Sequence, residues 1–302
     1  MYYLRFICVH LWPRNSSLRP WRLGGLKICG TLGASVAVNQ RSINIAFVAL
    51  WLFLIPADRA ADAALPAPSA TYDYAKPALL TGTLYVIGSE RKSVLYTFRR
   101  TATRSGDRVH VNRKFLCTNG EVAAVEKVLY ESNQLVSYEM QDFQAHVSGA
   151  IHIEPDPDQP SRQIIFISHA HGLNPPKGRA RTLQPDTVTD DTLYPFMIAH
   201  WDGLMRDKAA TFHFVSLDWE RTFEFELVKT GESVLNGQPV VQLTIKPTSL
   251  FIAALVKPLL FTVQQNAPHL ILSYIGRTTP RIQKGKSWKY LDAETVFHYP
   301  TE

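Results

Sequence analysis

The sequence predicts a mainly β protein, a large curved antiparallel sheet or half-barrel with one or two helices on its concave face. Three observations carry this expectation. Short runs in which apolar and polar residues alternate recur about every ten residues over 81–302. Turn-forming residues separate the runs, and just two segments break the alternation.

The strands are read from their period of two, which puts every second side chain on one face. Val94, Tyr96 and Phe98 face away from Leu95, Thr97 and Arg99. Val136, Tyr138 and Met140 alternate with Ser137, Glu139 and Gln141, and Phe223, Phe225 and Leu227 with Thr222, Glu224 and Glu226. Val241, Leu243 and Ile245 alternate with Gln242, Thr244 and Lys246. Between such runs lie Arg104-Ser105-Gly106-Asp107, Thr118-Asn119-Gly120, Glu131-Ser132-Asn133, Pro155 to Pro160, and Asn236-Gly237. The last is the clearest hairpin signal, since Asn and Gly tolerate the positive φ of a two-residue turn. Roughly ten to twelve antiparallel strands follow.

The first exception begins at Leu193. Positions 193, 196, 197, 200, 201 and 204 are largely apolar and form one stripe of a helix, with Asp191 available as its cap and Pro195 in its first turn. The second, 249–261, is apolar nearly all round up to Pro258. A helix of that composition needs burial on several sides, or it forms a lid over an apolar cavity.

Upstream, residues 42–56 form an apolar run preceded by Arg41 and followed by small residues at 57–64. At about 15 residues the run is short for a membrane span, which takes roughly 20. It reads as a secretory signal peptide over about 38–63 within a leader at 1–63, with translation from Val36 or Val38 giving a compact form. A Pro/Ala-rich linker at 64–80 and a single β-rich domain at 81–302 complete the expected organisation. An exported protein, periplasmic in a bacterium, is the expected location.

Residues 1–60 hold seven of the 32 basic residues and one of the 26 acidic ones, so the remainder carries 25 of each sign. Net charge after residue 60 is therefore zero, and the broad basic footprint of a nucleic-acid binder is absent. Cys8 and Cys29 fall in the leader, leaving Cys117 with no partner for an internal disulfide.

Few residues suggest chemistry. His169 and His171 share one face of an extended strand and are the candidate metal ligands, with a third ligand from His200, Asp186, Asp190 or Asp191. That pair underlies an alternative reading as a metal-assisted hydrolase. His200 also fits an ordinary core histidine. Asp156-Pro157-Asp158 lacks the later Gly and Glu of a calcium loop and reads as a hairpin tip. No nucleophile elbow, phosphate loop or dinucleotide fingerprint occurs, and no cofactor is expected. Arg277, Arg281, Lys284, Lys286 and Lys289 with Trp288 form a basic hairpin suited to phosphates or lipid headgroups at a membrane surface.

The hairpins from about Gly82, the helix Asp190 to Asp207, and the block from Leu243 to Arg277 together resemble uncharacterised exported β-sheet proteins whose fold is similar to the bacterial lipoprotein carrier and receptor proteins. The resemblance implies a half-barrel wrapped around helices with a hydrophobic cavity. The leading functional expectation is a non-enzymatic cell-envelope protein that binds or carries an apolar or amphiphilic ligand such as a lipid. Phe212, Phe214, Phe223, Phe225, Phe251, Leu255 and Tyr274 are its candidate lining residues. The remaining alternative is an envelope structural or assembly factor without a ligand.

Overall fold

The computed structural model of the protein describes residues 72–172 and 174–300. The leader, its signal peptide and the start of the linker lie outside the described residues. Fifteen strands run β1 Leu79–Tyr85, β2 Val94–Ser105, β3 Arg108–Cys117, β4 Val122–Glu131, β5 Gln134–Asp142, β6 Val147–Pro155, β7 Gln163–His171, β8 Lys177–Thr182, β9 Thr187–Val188, β10 Ala210–Ser216, β11 Arg221–Leu235, β12 Gln238–Pro247, β13 Leu259–Gln264, β14 Ile271–Lys284 and β15 Ser287–His298. Three short helices are α1 Leu193–Ala199, α2 Trp201–Met205 and α3 Leu250–Ala253.

All fifteen strands form one curved, unclosed sheet in the order β8-β7-β6-β5-β4-β3-β2-β1-β15-β14-β13-β12-β11-β10-β9. Neighbours are antiparallel except β9 and β10, which run parallel. First and last strands pair at the centre, so the free edges β8 and β9 are consecutive in the chain. The mainly β half-barrel expected from the alternation is the observed architecture. The strand count exceeds the expected ten to twelve in part because β8 (KGRART) is exposed along its whole length and β9, with Val188 buried, is two residues long. Neither can carry the period-two apolar signal. Lys177, Arg179 and Arg181 place charge along an edge, which discourages pairing with a second sheet.

Register aligns the inward side chains of β2 to β7 into rows. One row is Ala102, Val111, Val128, Tyr138, Ile151 and Ile167, all buried. The adjacent row is Arg100, Arg113, Glu126, Met140, Gly149 and His169. A polar layer therefore crosses the interior beside an apolar one. On the other half of the sheet, α1 and α2 pack Leu193, Phe196, Met197, Trp201 and Leu204 against Phe212, Phe225, Leu227, Val241 and Leu243.

The helical stripe from Leu193 is as expected, but a break at His200 divides it. There the backbone leaves helical values, and the His200 ring nitrogen Nδ1 lies 2.9 Å from Phe196 O. Thr192, not Asp191, sits at the N-cap, because Asp191 is drawn into the polar layer. The apolar helix expected over 249–261 is a single turn, α3, followed by β13. Past Pro258, the stop visible in the sequence, Leu259 to Gln264 pair with β12 and β14, and Leu250 and Phe251 are 89% and 62% exposed rather than buried. The linker expected to 80 is already structured at its end. Tyr74 stacks on Tyr130 with centroids 3.9 Å apart, and β1 begins at Leu79.

Candidate functional site

The polar layer is built on three consecutive strands. Arg100 on β2 and Arg113 on β3 are direct cross-strand partners, and Glu126 on β4 is opposite Arg113. Two guanidinium groups side by side require counter-charge. Arg113 Nη1 donates to Glu126 Oε2 at 2.7 Å, and its Nη2 to Asp191 Oδ1 at 3.1 Å. Arg100 Nε lies 3.5 Å from the same Asp191 oxygen, while its Nη1 and Nη2 donate to the carbonyls of Pro77 and Tyr74. Tyr130 donates to Asp191 Oδ2 at 2.8 Å, and Thr279 donates to Glu126. Glu126 is 1% exposed, so this network sits where a lost partner is costly.

Thr279 reaches the interior because β14 leaves its ladder. The register shifts between Thr278 and Ile282, around Pro280, which has no N–H to offer a neighbour. The displaced segment turns inward: Arg281 N–H donates to Asp142 Oδ2 at 2.8 Å, and Tyr96 O–H to Arg281 O at 3.1 Å.

Asp190 completes the layer differently from its neighbours. Tyr138 O–H points to its Oδ2 at 3.5 Å, a weak contact, and no ion pair holds it among the described residues. Asp190 is an exposed residue and borders the pocket. Burial, then the charges of Glu126 and Asp191, outweigh Arg113 and push its carboxyl up to about 7. Burial drives the Tyr130 and Tyr138 hydroxyls well above their ordinary range, so both remain donors.

The pocket has a volume of about 160 Å³ and lies between the two halves of the sheet. Leu80, Leu84, Phe98, Phe115, Phe261 and Phe297 supply apolar wall, and Arg100, Arg113, Asp190 and Asp191 a charged end. Of the lining residues expected from sequence, Phe214 and Tyr274 border it. Phe212 and Phe225 are buried in the core beside α1, Phe223 packs at that core's margin, Leu255 is half-buried, and Phe251 is exposed.

A second polar group lies across the seam between the sheet edges. Asp218, in the β10–β11 turn, accepts from Arg281 Nη2 at 2.9 Å to each oxygen and from Tyr290. His169 Nε2 lies 2.9 Å from Asp218 Oδ1, a close contact without the alignment of a straight hydrogen bond. Burial raises the Asp218 carboxyl, but His169, Arg281 and Tyr290 together bring it below its usual range. His171 is exposed at the end of β7. Asp190 and Asp191 belong to the arginine cluster, Asp186 sits in the β8–β9 link, and His200 lies between α1 and α2. No three His, Cys, Asp or Glu side chains gather as a metal site among the described residues. Of the basic hairpin, Arg277 is paired with Asp292 and Arg281 with Asp218, while Lys284 and Lys286 are exposed at the turn.

Sequence reasoning missed Arg100, Arg113 and Glu126. The signal was present. Arg100 shares parity with Tyr96 and Phe98, Arg113 with Val111 and Phe115, and Glu126 with Ala124 and Val128. Three successive strands each carry an ionised residue between apolar neighbours on one face.

No known protein family matches the chain, and no curated protein matches it. Among solved structures it is similar to a β-barrel-like protein of domain of unknown function DUF1849 from Brucella abortus, at 9% identity over 72% of this chain and 92% of that one, with a TM-score of 0.35.

Proposed function

We propose that this protein binds a compact amphiphilic molecule in the pocket between its sheet halves and acts as a non-enzymatic binding protein of the cell envelope. The observation that carries the reading is the pocket itself: aromatic and aliphatic walls ending in a cluster of charged side chains. Apolar walls with a few convergent polar groups are the usual composition of a small-molecule site. A volume of about 160 Å³ is close to that of an engineered cavity of about 150 Å³ that takes up benzene. The ligand, or the part of it held here, is therefore nearer to one ring or a short acyl segment than to a whole lipid. Export rests on the apolar run at 42–56, and the resemblance to lipoprotein carriers belongs to the same proposal.

Ligand-observed NMR and thermal unfolding of the full chain with benzyl alcohol and hexanoate test this reading. Saturable binding that is weakened by Leu84→Trp, a substitution that fills the pocket, is the expected result. Binding unchanged in that variant, or no binding by any compact amphiphile, would remove the proposal.

A further inference from the structure

Arg100 and Arg113 line the charged end of the pocket with Asp190 and Asp191, and Glu126 pairs with Arg113 behind that wall. Of the three carboxylates, Asp190 has no ion pair among the described residues. Glu126 is taken up by Arg113 and Thr279, and Asp191 by Arg113, Arg100 and Tyr130. Asp190 has the 3.5 Å contact with Tyr138 and borders the pocket as an exposed residue. The remaining charged wall residues are not paired with Asp190 either. Arg277 is bound to Asp292 at 3.0 Å and lies over Tyr290, and Lys76 is an exposed residue of the segment before β1.

The walls around this carboxylate suit a cation as well. Phe98, Phe115, Phe261, Tyr72 and Tyr274 line the same pocket, and aromatic faces attract an ammonium or guanidinium group. At the two arginines an anionic ligand would compete with Glu126 and Asp191, whose buried pairs are costly to break. A cation displaces nothing.

From this geometry we infer that the pocket selects an organic cation, an amine with a compact apolar body whose ammonium pairs with Asp190. The inference rests on the binding function proposed above and specifies its ligand class. Burial and the neighbouring Glu126 and Asp191 hold the Asp190 carboxyl up at about 7, so near neutral pH a proton competes for the position an ammonium would take. The groups facing Asp190 are Arg113 from β3, Glu126 from β4, Tyr138 from β5, Tyr274 from β14 and Asp191 beside it.

Calorimetric titration of the full chain with benzylamine, benzyl alcohol and benzoate, three probes of similar size, tests it between pH 6 and pH 8.5. Benzylammonium is expected to bind at least tenfold more tightly than benzyl alcohol at the upper pH. That advantage should shrink toward pH 6 as Asp190 takes up a proton, and Asp190→Asn should bring the ratio close to one. The pH series on the unaltered protein gives the answer even if the variant does not fold. Equal affinity for benzyl alcohol, or a preference for benzoate, overturns the cation inference while leaving the pocket as a binding site. Failure of all three probes to bind overturns both.

Discussion

Glu126 shows how one side chain can carry a disproportionate share of stability. It is buried, bonded to Arg113 and Thr279, and so joins β3, β4 and the inward segment of β14. Removing it leaves Arg113 with Asp191 alone among the carboxylates in contact with it. Glu126→Ala is expected to cost about 3–5 kcal/mol, the range for breaking a buried charge pair, measured by urea unfolding. Asp190 has the opposite sign. Its folded pKa of about 7 lies above the unfolded value, so the folded state holds the extra proton between the two. Its contribution to stability is greatest below the unfolded value and falls as pH rises toward about 7. Asp190→Asn should flatten the decline in unfolding free energy between about pH 4 and pH 7, and an unchanged slope would show that Asp190 is not its source.

At the scale of elements, the β10–β11 turn holds together two sheet edges that share no ladder. Leu217 sits on Gly149 of β6, so close that a Cβ there would lie 3.0 Å from Leu217 Cβ. Asp218 meets His169 on β7 and Arg281 on β14, and Glu220 meets Arg179 on β8. Because the Asp218 carboxyl is lowered on folding, its contribution is present above the unfolded pKa and lost as pH falls through the folded value. Asp218→Asn should cost about 2–3 kcal/mol at neutral pH, the value of hydrogen bonds to a charged group, and remove part of the acid sensitivity of unfolding. Gly149→Val would push Leu217 away and loosen the same turn. Elsewhere, Asn236 and Gly237 both have positive φ, 50° and 80°, as the two-residue turn between β11 and β12 requires. Gly237→Ala is expected to cost about 1–2 kcal/mol in thermal or chemical unfolding.

Across the whole molecule, stability should vary from strands flanked on both sides to the open edge. β8 is exposed throughout and pairs on one side, whereas β3 and β4 are flanked on both sides and bury alternate residues. Hydrogen exchange should therefore be fast over residues 177–182 and slowest in β3 and β4; equal protection would contradict the edge assignment. Occupying the pocket couples its walls, which come from both halves of the sheet. A probe at 100 times its dissociation constant should add about 2.7 kcal/mol to unfolding free energy.

The sequence by itself determined the antiparallel sheet, its principal hairpins and the helical stripe from Leu193, because periods of two and 3.6 are local properties that burial of one face enforces. Arg100, Arg113 and Glu126 were legible in the same way, as ionised residues standing on otherwise buried faces, although their pairing was not. Tertiary structure alone decided that Asp190 and Asp191, remote in sequence from β2 to β4, meet that row. It also decided that Asp218 closes the seam. These depend on which strands become neighbours and on how far the sheet curves, quantities set by packing over the whole chain rather than by any window of it.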